Sequence, residues 1–460
     1  MKKSISTFVL LSLICLRCLP QEGHFQVKFS EPLAVFQFLD NLSANAPPNV
    51  FKTTFNGSKF NDDKYKQLIA EYDKLNIDYG YEYTSYPYAQ KIGGSTESLL
   101  KRNLIKSSSI NEFKLASPGI IPNADLFKLC DLLTAFDPIY QELVYQPCKE
   151  KFGQQLNAIR QLADSGGLSR FFNTGLAFYH SSWDQQIPFV VALYPLAGTL
   201  HFNATAFYNN AVVAVPVDLQ DYNKLLSVMI HEIFHILYDE ESIEFKKRIE
   251  AAFIKNPSPN SRYAYLLLNE ALATSLGNGY VYGQLKGVED TAAWYRRQYT
   301  NLMAKKIYPL VKAYISAGKS LDEDFIGQYI QLFDQNFVGW LKKKDFIMAD
   351  RYVISDNANN FDAIDQAYPY SSMSAYDPEV STNSIEKMNR APITKIVIVS
   401  KNNSGELALV KKQFKELKDW QPNSQADFSY AVFLADKTYL IILNNIKKNT
   451  AEQLEALTIQ

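Results

Sequence analysis

The stretch from Asp221 to Tyr238 constrains the fold more tightly than any other. Leu225, Leu226, Met229, Ile230, Phe234 and Leu237 recur at helical spacing and give one helix an apolar surface wide enough to be buried. Asp221 stands where the helix needs a cap. His231 and His235 lie one turn apart on the face they share with Ser227 and Tyr238, so both imidazoles can reach one metal ion. Glu232 projects about a quarter-turn away, where it can take a proton from a metal-bound water without being a ligand. The competing reading is a buried helix with two structural histidines.

Upstream, Phe189–Tyr194, Thr199–Tyr208 and Ala211–Val215 read as strands, with Gly198 and Asn209-Asn210 as turns. A sheet leading into the metal helix offers an edge strand that can pair with an extended peptide. A catalytic zinc takes three protein ligands and keeps one open position. A ligand at Glu241 requires the chain to turn at Tyr238, where no glycine stands. A helix that continues instead leaves Glu241 about 15 Å along the axis from His231. No histidine follows His235. A helical segment, Leu266–Leu276, supplies Glu270 after Asn269, and its small Ala271 and Ala273 allow close packing on the metal helix. Glu270 is the expected third ligand.

These residues resemble the gluzincins, the thermolysin-like branch of the zincin metallopeptidases, which carry H-E-x-x-H on one helix and an Asn-Glu pair on the next. The resemblance covers roughly residues 185 to 285. It implies that His231, His235 and Glu270 hold Zn2+ and that Glu232 is the general base, passing a proton from the attacking water to the leaving amine. One position departs from thermolysin. Thr274 stands where an Asp supports a zinc-bound His, so support is expected from Thr274, a backbone carbonyl or another carboxylate. The resemblance also implies a second electrophile. With no later histidine, the candidates are Tyr280, Tyr282, Tyr368, Tyr370 and Tyr376, and the sequence does not choose among them; His201, alternating in a strand, reads as structural.

Lys2 and Lys3 precede the apolar run Phe8–Leu16, the pattern of a secretory signal peptide over residues 1–20. Arg17 before Cys18 argues against lipid anchoring. Export to the periplasm or the extracellular space is expected, with no integral membrane segment once the signal is removed. The remaining pair, Cys130 and Cys148, forms either a disulfide or two buried thiols. Asn41, Asn56, Asn203 and Asn402 fit the glycosylation sequon, which matters only in a eukaryotic secretory pathway. The balance of 47 basic and 48 acidic residues leaves no nucleic-acid footprint.

The expected fold is α+β. Residues 21–180 form a mixed N-terminal region, with a strand at His24–Phe29 and helices near Leu33–Leu42, Asp63–Leu75, Ala124–Phe136 and Lys151–Ala163. Residues 181–390 form a zincin-like catalytic domain, its sheet leading into the metal helix and a helical lobe following. Residues 354–391, rich in Asn, Ser, Asp and Pro, read as a long loop. Residues 392–460 form a small α/β unit, with strands at Ile393–Val399, Tyr430–Leu434 and Thr438–Leu443. The functional expectation is an exported zinc peptidase acting on peptide or protein. The alternative is a zincin-fold binding or scaffold protein without activity.

Overall fold

The computed structural model describes residues 25–459, apart from 82–84, 88–93, 166 and 199–202. The expected signal segment and His201 lie outside the described residues. The chain is mixed α and β and divides into two compact units. The first comprises Met1–Tyr79, Ser95–Asn173 and Ser182–Ile233; the second comprises Gly80–Gly94, Thr174–Ser181 and Phe234–Gln460.

In chain order the first unit begins with β1 (Phe25–Phe29), α1 (Glu31–Leu42), α2 (Val50–Asn56) and α3 (Asp63–Tyr72). A two-residue ladder, β2 (Gly80–Tyr81) and β3 (Gly94–Ser95), which up to Gly94 belongs to the second unit, precedes α4 (Thr96–Lys106), α5 (Ile110–Ala116) and α6 (Asn123–Tyr140). A π-helical segment, Gln141–Tyr145, joins α6 to α7 (Gln146–Ser165), and α8 (Leu168–Tyr179) follows, its residues from Thr174 on belonging to the second unit. The sheet is completed by β4 (Phe189–Leu196), β5 (Ala204–Phe207) and β6 (Asn210–Pro216) in the order β1-β4-β6-β5. β1, β4 and β6 run parallel, and β5 is antiparallel to β6 at the edge. β4 and β6 are almost wholly apolar because both faces of a central parallel strand are covered. The expected strand over Thr199–Tyr208 is described only for Ala204–Phe207, and Tyr208, at φ +54°, turns the chain into β6. α1 and α6 supply much of this unit's core, where Phe38 meets Phe51 edge-on at 5.5 Å between ring centroids.

From β6 the chain enters α9 (Tyr222–Asp239), capped as expected by Asp221, whose Oδ1 accepts from the Asn223 and Lys224 N–H groups at 3.1 and 3.3 Å. The division between the units falls within this helix. The second unit continues with α10 (Ile243–Lys255), α11 (Ser261–Ala273), a π-helical segment Thr274–Val281, α12 (Tyr282–Lys286), α13 (Gln298–Ser316), α14 (Glu323–Asn336) and α15 (Lys344–Ile347). Its sheet uses β7 (Asp350–Ser355), β8 (Met373–Asp377), β9 (Thr394–Val399), β10 (Phe428–Phe433) and β11 (Tyr439–Asn444), in the order β10-β11-β9-β7-β8. All neighbours are parallel except β10 and β11. α16 (Asn359–Ala367), α17 (Thr382–Arg390), α18 (Asn403–Gln413) and α19 (Thr450–Ala456) complete it.

The stretch expected to be a long loop is therefore structured. Residues 354–391 contain the end of β7, α16, β8 and α17, and this sheet begins well before Pro392. β8 is an edge strand with no fully buried side chain, and α17 is polar except for Ile385 and Met388 on its covered side. Peripheral elements of an α/β layer carry the composition of a loop. The sheet is tied to α11 by Tyr263, whose hydroxyl meets Thr394 Oγ1 at 2.8 Å and accepts from the Tyr439 N–H at 3.1 Å.

Cys130 and Cys148 are free, buried thiols. Burial pushes the pKa of each up to about 11. No helix among the described residues is long and apolar enough to cross a membrane.

Candidate metal centre

α9 and α11 bring His231, His235 and Glu270 together, with their ligand atoms all within 4.8 Å of one another. His231 and His235 are 3% and 9% exposed, so the two imidazoles are largely withdrawn from bulk water. Glu232, one residue along α9, is half-buried.

The His235 ring is oriented from behind. Its Nδ1 lies 2.9 Å from Asn269 Oδ1. An amide oxygen only accepts, so Nδ1 carries the proton. The other nitrogen, Nε2, points to Glu270 Oε1 at 3.5 Å. Two atoms bound tetrahedrally to one zinc at about 2.0–2.2 Å stand roughly 3.3–3.6 Å apart. The separation fits two ligands sharing an ion. The donor set of two imidazoles and a carboxylate is the chemistry borderline-soft zinc accepts in a catalytic site.

Asn269, next to Glu270, gives His235 a side-chain partner that the sequence reading did not name. Thr274 is fully buried at the start of the π-helical segment, and its hydroxyl has no hydrogen-bond partner among the described residues. The signal for Asn269 was the Asn-Glu pair itself. Losing the hydrogen-bond partner of a metal-bound histidine weakens metal binding by about 10- to 100-fold. Asn269→Ala is expected to show that loss in a competitive zinc titration, with the fold retained by circular dichroism; unchanged affinity would remove Asn269 from the site.

Glu241 stays out of the cluster, but not because α9 continues. α9 stops at Asp239, and the Ser242 hydroxyl, accepting from the Phe245 N–H at 3.2 Å, starts α10. Glu241 is left 4% exposed in the junction. Burial raises its pKa to about 7, with Lys246 opposing.

Four of the five candidate tyrosines differ in environment. Tyr280 packs on Trp294, Ala304 and Tyr308. Tyr376 donates to Asp365 Oδ1 at 2.5 Å. Burial raises the pKa of Tyr368, with Asp345 adding to it. Burial holds the Tyr370 phenol above the ordinary value, Arg297 opposes, and Glu270 pushes the same way as burial. The Arg297 guanidinium lies 4.1 Å from the Tyr370 ring centroid. Arg297 sits at the start of α13, which packs along α11 and the π-helical segment. Within that segment, a Cβ on Gly279 would lie 2.7 Å from Trp294 Cζ3, so glycine permits the approach. π-Helical insertions recur at functional sites.

No protein-family model, curated protein or solved structure matches this chain.

Proposed function

We propose that this chain is a zinc-dependent metallopeptidase with a zincin-like catalytic centre, exported from the cell. One observation carries the proposal: His231, His235 and Glu270 converge within 4.8 Å while Glu232 stands beside them on α9. Zinc held by these three residues supplies Lewis acidity and an acidified water. Glu232 accepts the water's proton and returns it to the departing amine. Among the described residues β5 lies at the edge of its sheet, where an extended peptide can pair with it through the backbone.

The test begins with metal analysis of protein purified without chelator. About one zinc per chain is expected, with none in His235→Ala. A mixed pool of internally quenched peptides should be cleaved by the wild type, silenced by chelation and restored by zinc. Metal-free wild-type protein sinks the proposal. Zinc with an untouched peptide pool identifies the alternative, a binding protein that keeps the site without using it.

A further inference from the structure

We infer that Glu241 makes this centre pH-responsive: it is a buried acid held neutral in the closed junction of α9 and α10, and ionising it loosens the helix that carries both ligand histidines. The inference rests on the peptidase reading above and adds a regulator to that same site.

The junction holds more acid than base out of reach of water. Asp239, Glu241 and Lys246 are 3%, 4% and 1% exposed. With all three ionised, one net negative charge is left where water cannot screen it, which a buried site tolerates poorly. The Lys246 ammonium is engaged by α9 itself: Nζ donates to the Tyr238 carbonyl at 2.7 Å and lies 4.8 Å from the Tyr238 ring centroid. Glu241 Oε1 is buried and meets no donor among the described residues. The Tyr179 hydroxyl on α8 is also buried without a partner among those residues, and its ring meets Tyr238 edge-on at 5.7 Å. Burial raises that phenol well above its ordinary value, and Tyr238, Asp239 and Glu241 add to the rise.

Burial pushes Glu241 up to about 7, while Lys246 first, then the Ser242 N–H and Arg248, pull it down. The groups facing it are thus Tyr179 from α8, Asp239 from α9, and Lys246 and Arg248 from α10. A carboxyl whose value is higher in the folded than in the unfolded chain stabilises the fold as the neutral acid. That contribution is complete below the ordinary glutamate value and is lost as pH rises from there through about 7. The loss falls on the metal helix because the junction continues it. Asp239, the last residue of α9, stands one turn beyond His235. Ser242 already caps α10, so only Glu240 and Glu241 can absorb a change between the two helices.

The experiment compares wild type with Glu241→Gln, the neutral isostere, across pH 5 to 8 on the full chain. In protein labelled with ¹³C at the glutamate carboxyls, the signal missing from Glu241→Gln is expected to titrate near neutrality; titration in the ordinary glutamate range overturns the inference. From urea unfolding, the folding constant of Glu241→Gln relative to wild type should grow about tenfold per pH unit up to about 7 and then level. A ratio independent of pH overturns it. Zinc transfer from the loaded protein to excess chelator should be at least threefold faster in wild type than in Glu241→Gln at pH 8 and equal in the two at pH 6; the same ratio at both overturns it. If Glu241→Gln does not fold, Lys246→Met, which removes the opposing cation, should move the wild-type titration to higher pH, and an unmoved or lowered titration overturns the inference. Wild-type protein that holds no zinc overturns the peptidase reading instead, and the carboxyl titration and urea ratio still decide the role of Glu241.

Discussion

Glu232→Gln is expected to lower kcat on the cleaved peptides by about 10²- to 10⁴-fold, the range a positioned acid–base group contributes, while zinc stays bound. The amide matches the carboxylate in size and leaves His231, His235 and Glu270 untouched, so the ligand set survives. It cannot accept the water's proton or return one to the leaving amine, so both transfers fail. KM should change little, because a group that acts in the transition state leaves ground-state binding intact. A variant with wild-type turnover would dismiss Glu232 as the base. A variant that loses zinc along with activity would place Glu232 among the ligands.

The second large effect comes from a residue without functional groups. A Cβ on Gly175 of α8 would lie 2.4 Å from Phe234 Cε1, 2.7 Å from Phe234 Cδ1 and 2.9 Å from Leu237 Cδ1. Phe234 is 1% exposed and packed against Tyr179 at 6.2 Å between ring centroids, so its ring has nowhere to swing. Gly175→Val adds three heavy atoms at this contact. Overpacking of a rigid core costs about 3 kcal/mol at the upper end of its usual range, more than the modest gain from leaving glycine in a helix. Phe234 is bonded to His235, so relieving the strain moves the His235 imidazole. The expected result is a lower urea midpoint with a similar slope, together with weaker zinc binding. An unchanged midpoint and an unchanged zinc affinity would show that α8 yields instead.

Much of this was legible from side-chain pattern. The period of Leu225, Leu226, Met229 and Ile230 marks a helix buried on most sides, and the four-residue spacing of the histidines fixes their common face. Long apolar runs such as Phe189–Tyr194 read correctly because central parallel strands are covered on both faces. Peripheral elements did not read as structure. β8 and α17 keep most of their side chains in water, so their composition matches that of a loop. Partners distant in sequence were also hidden: Arg297 meets Tyr370, and Arg351 holds the carbonyls of Tyr368 and Tyr370, through tertiary geometry that no local spacing encodes. Asn269 lies between these cases. It was visible beside Glu270, but its bond to His235 required the angle between two helices.

The Tyr263 hydroxyl sits on the helix that carries Glu270, and both of its partners belong to the C-terminal sheet. Cutting the chain before β9 strands a buried phenol, so the sheet is no cassette to be swapped or trimmed. Any shortening of this chain has to treat residues 261–444 as one block. A shortened version that keeps His231, His235 and Glu270 still removes both hydrogen-bond partners of the Tyr263 hydroxyl on the Glu270 helix.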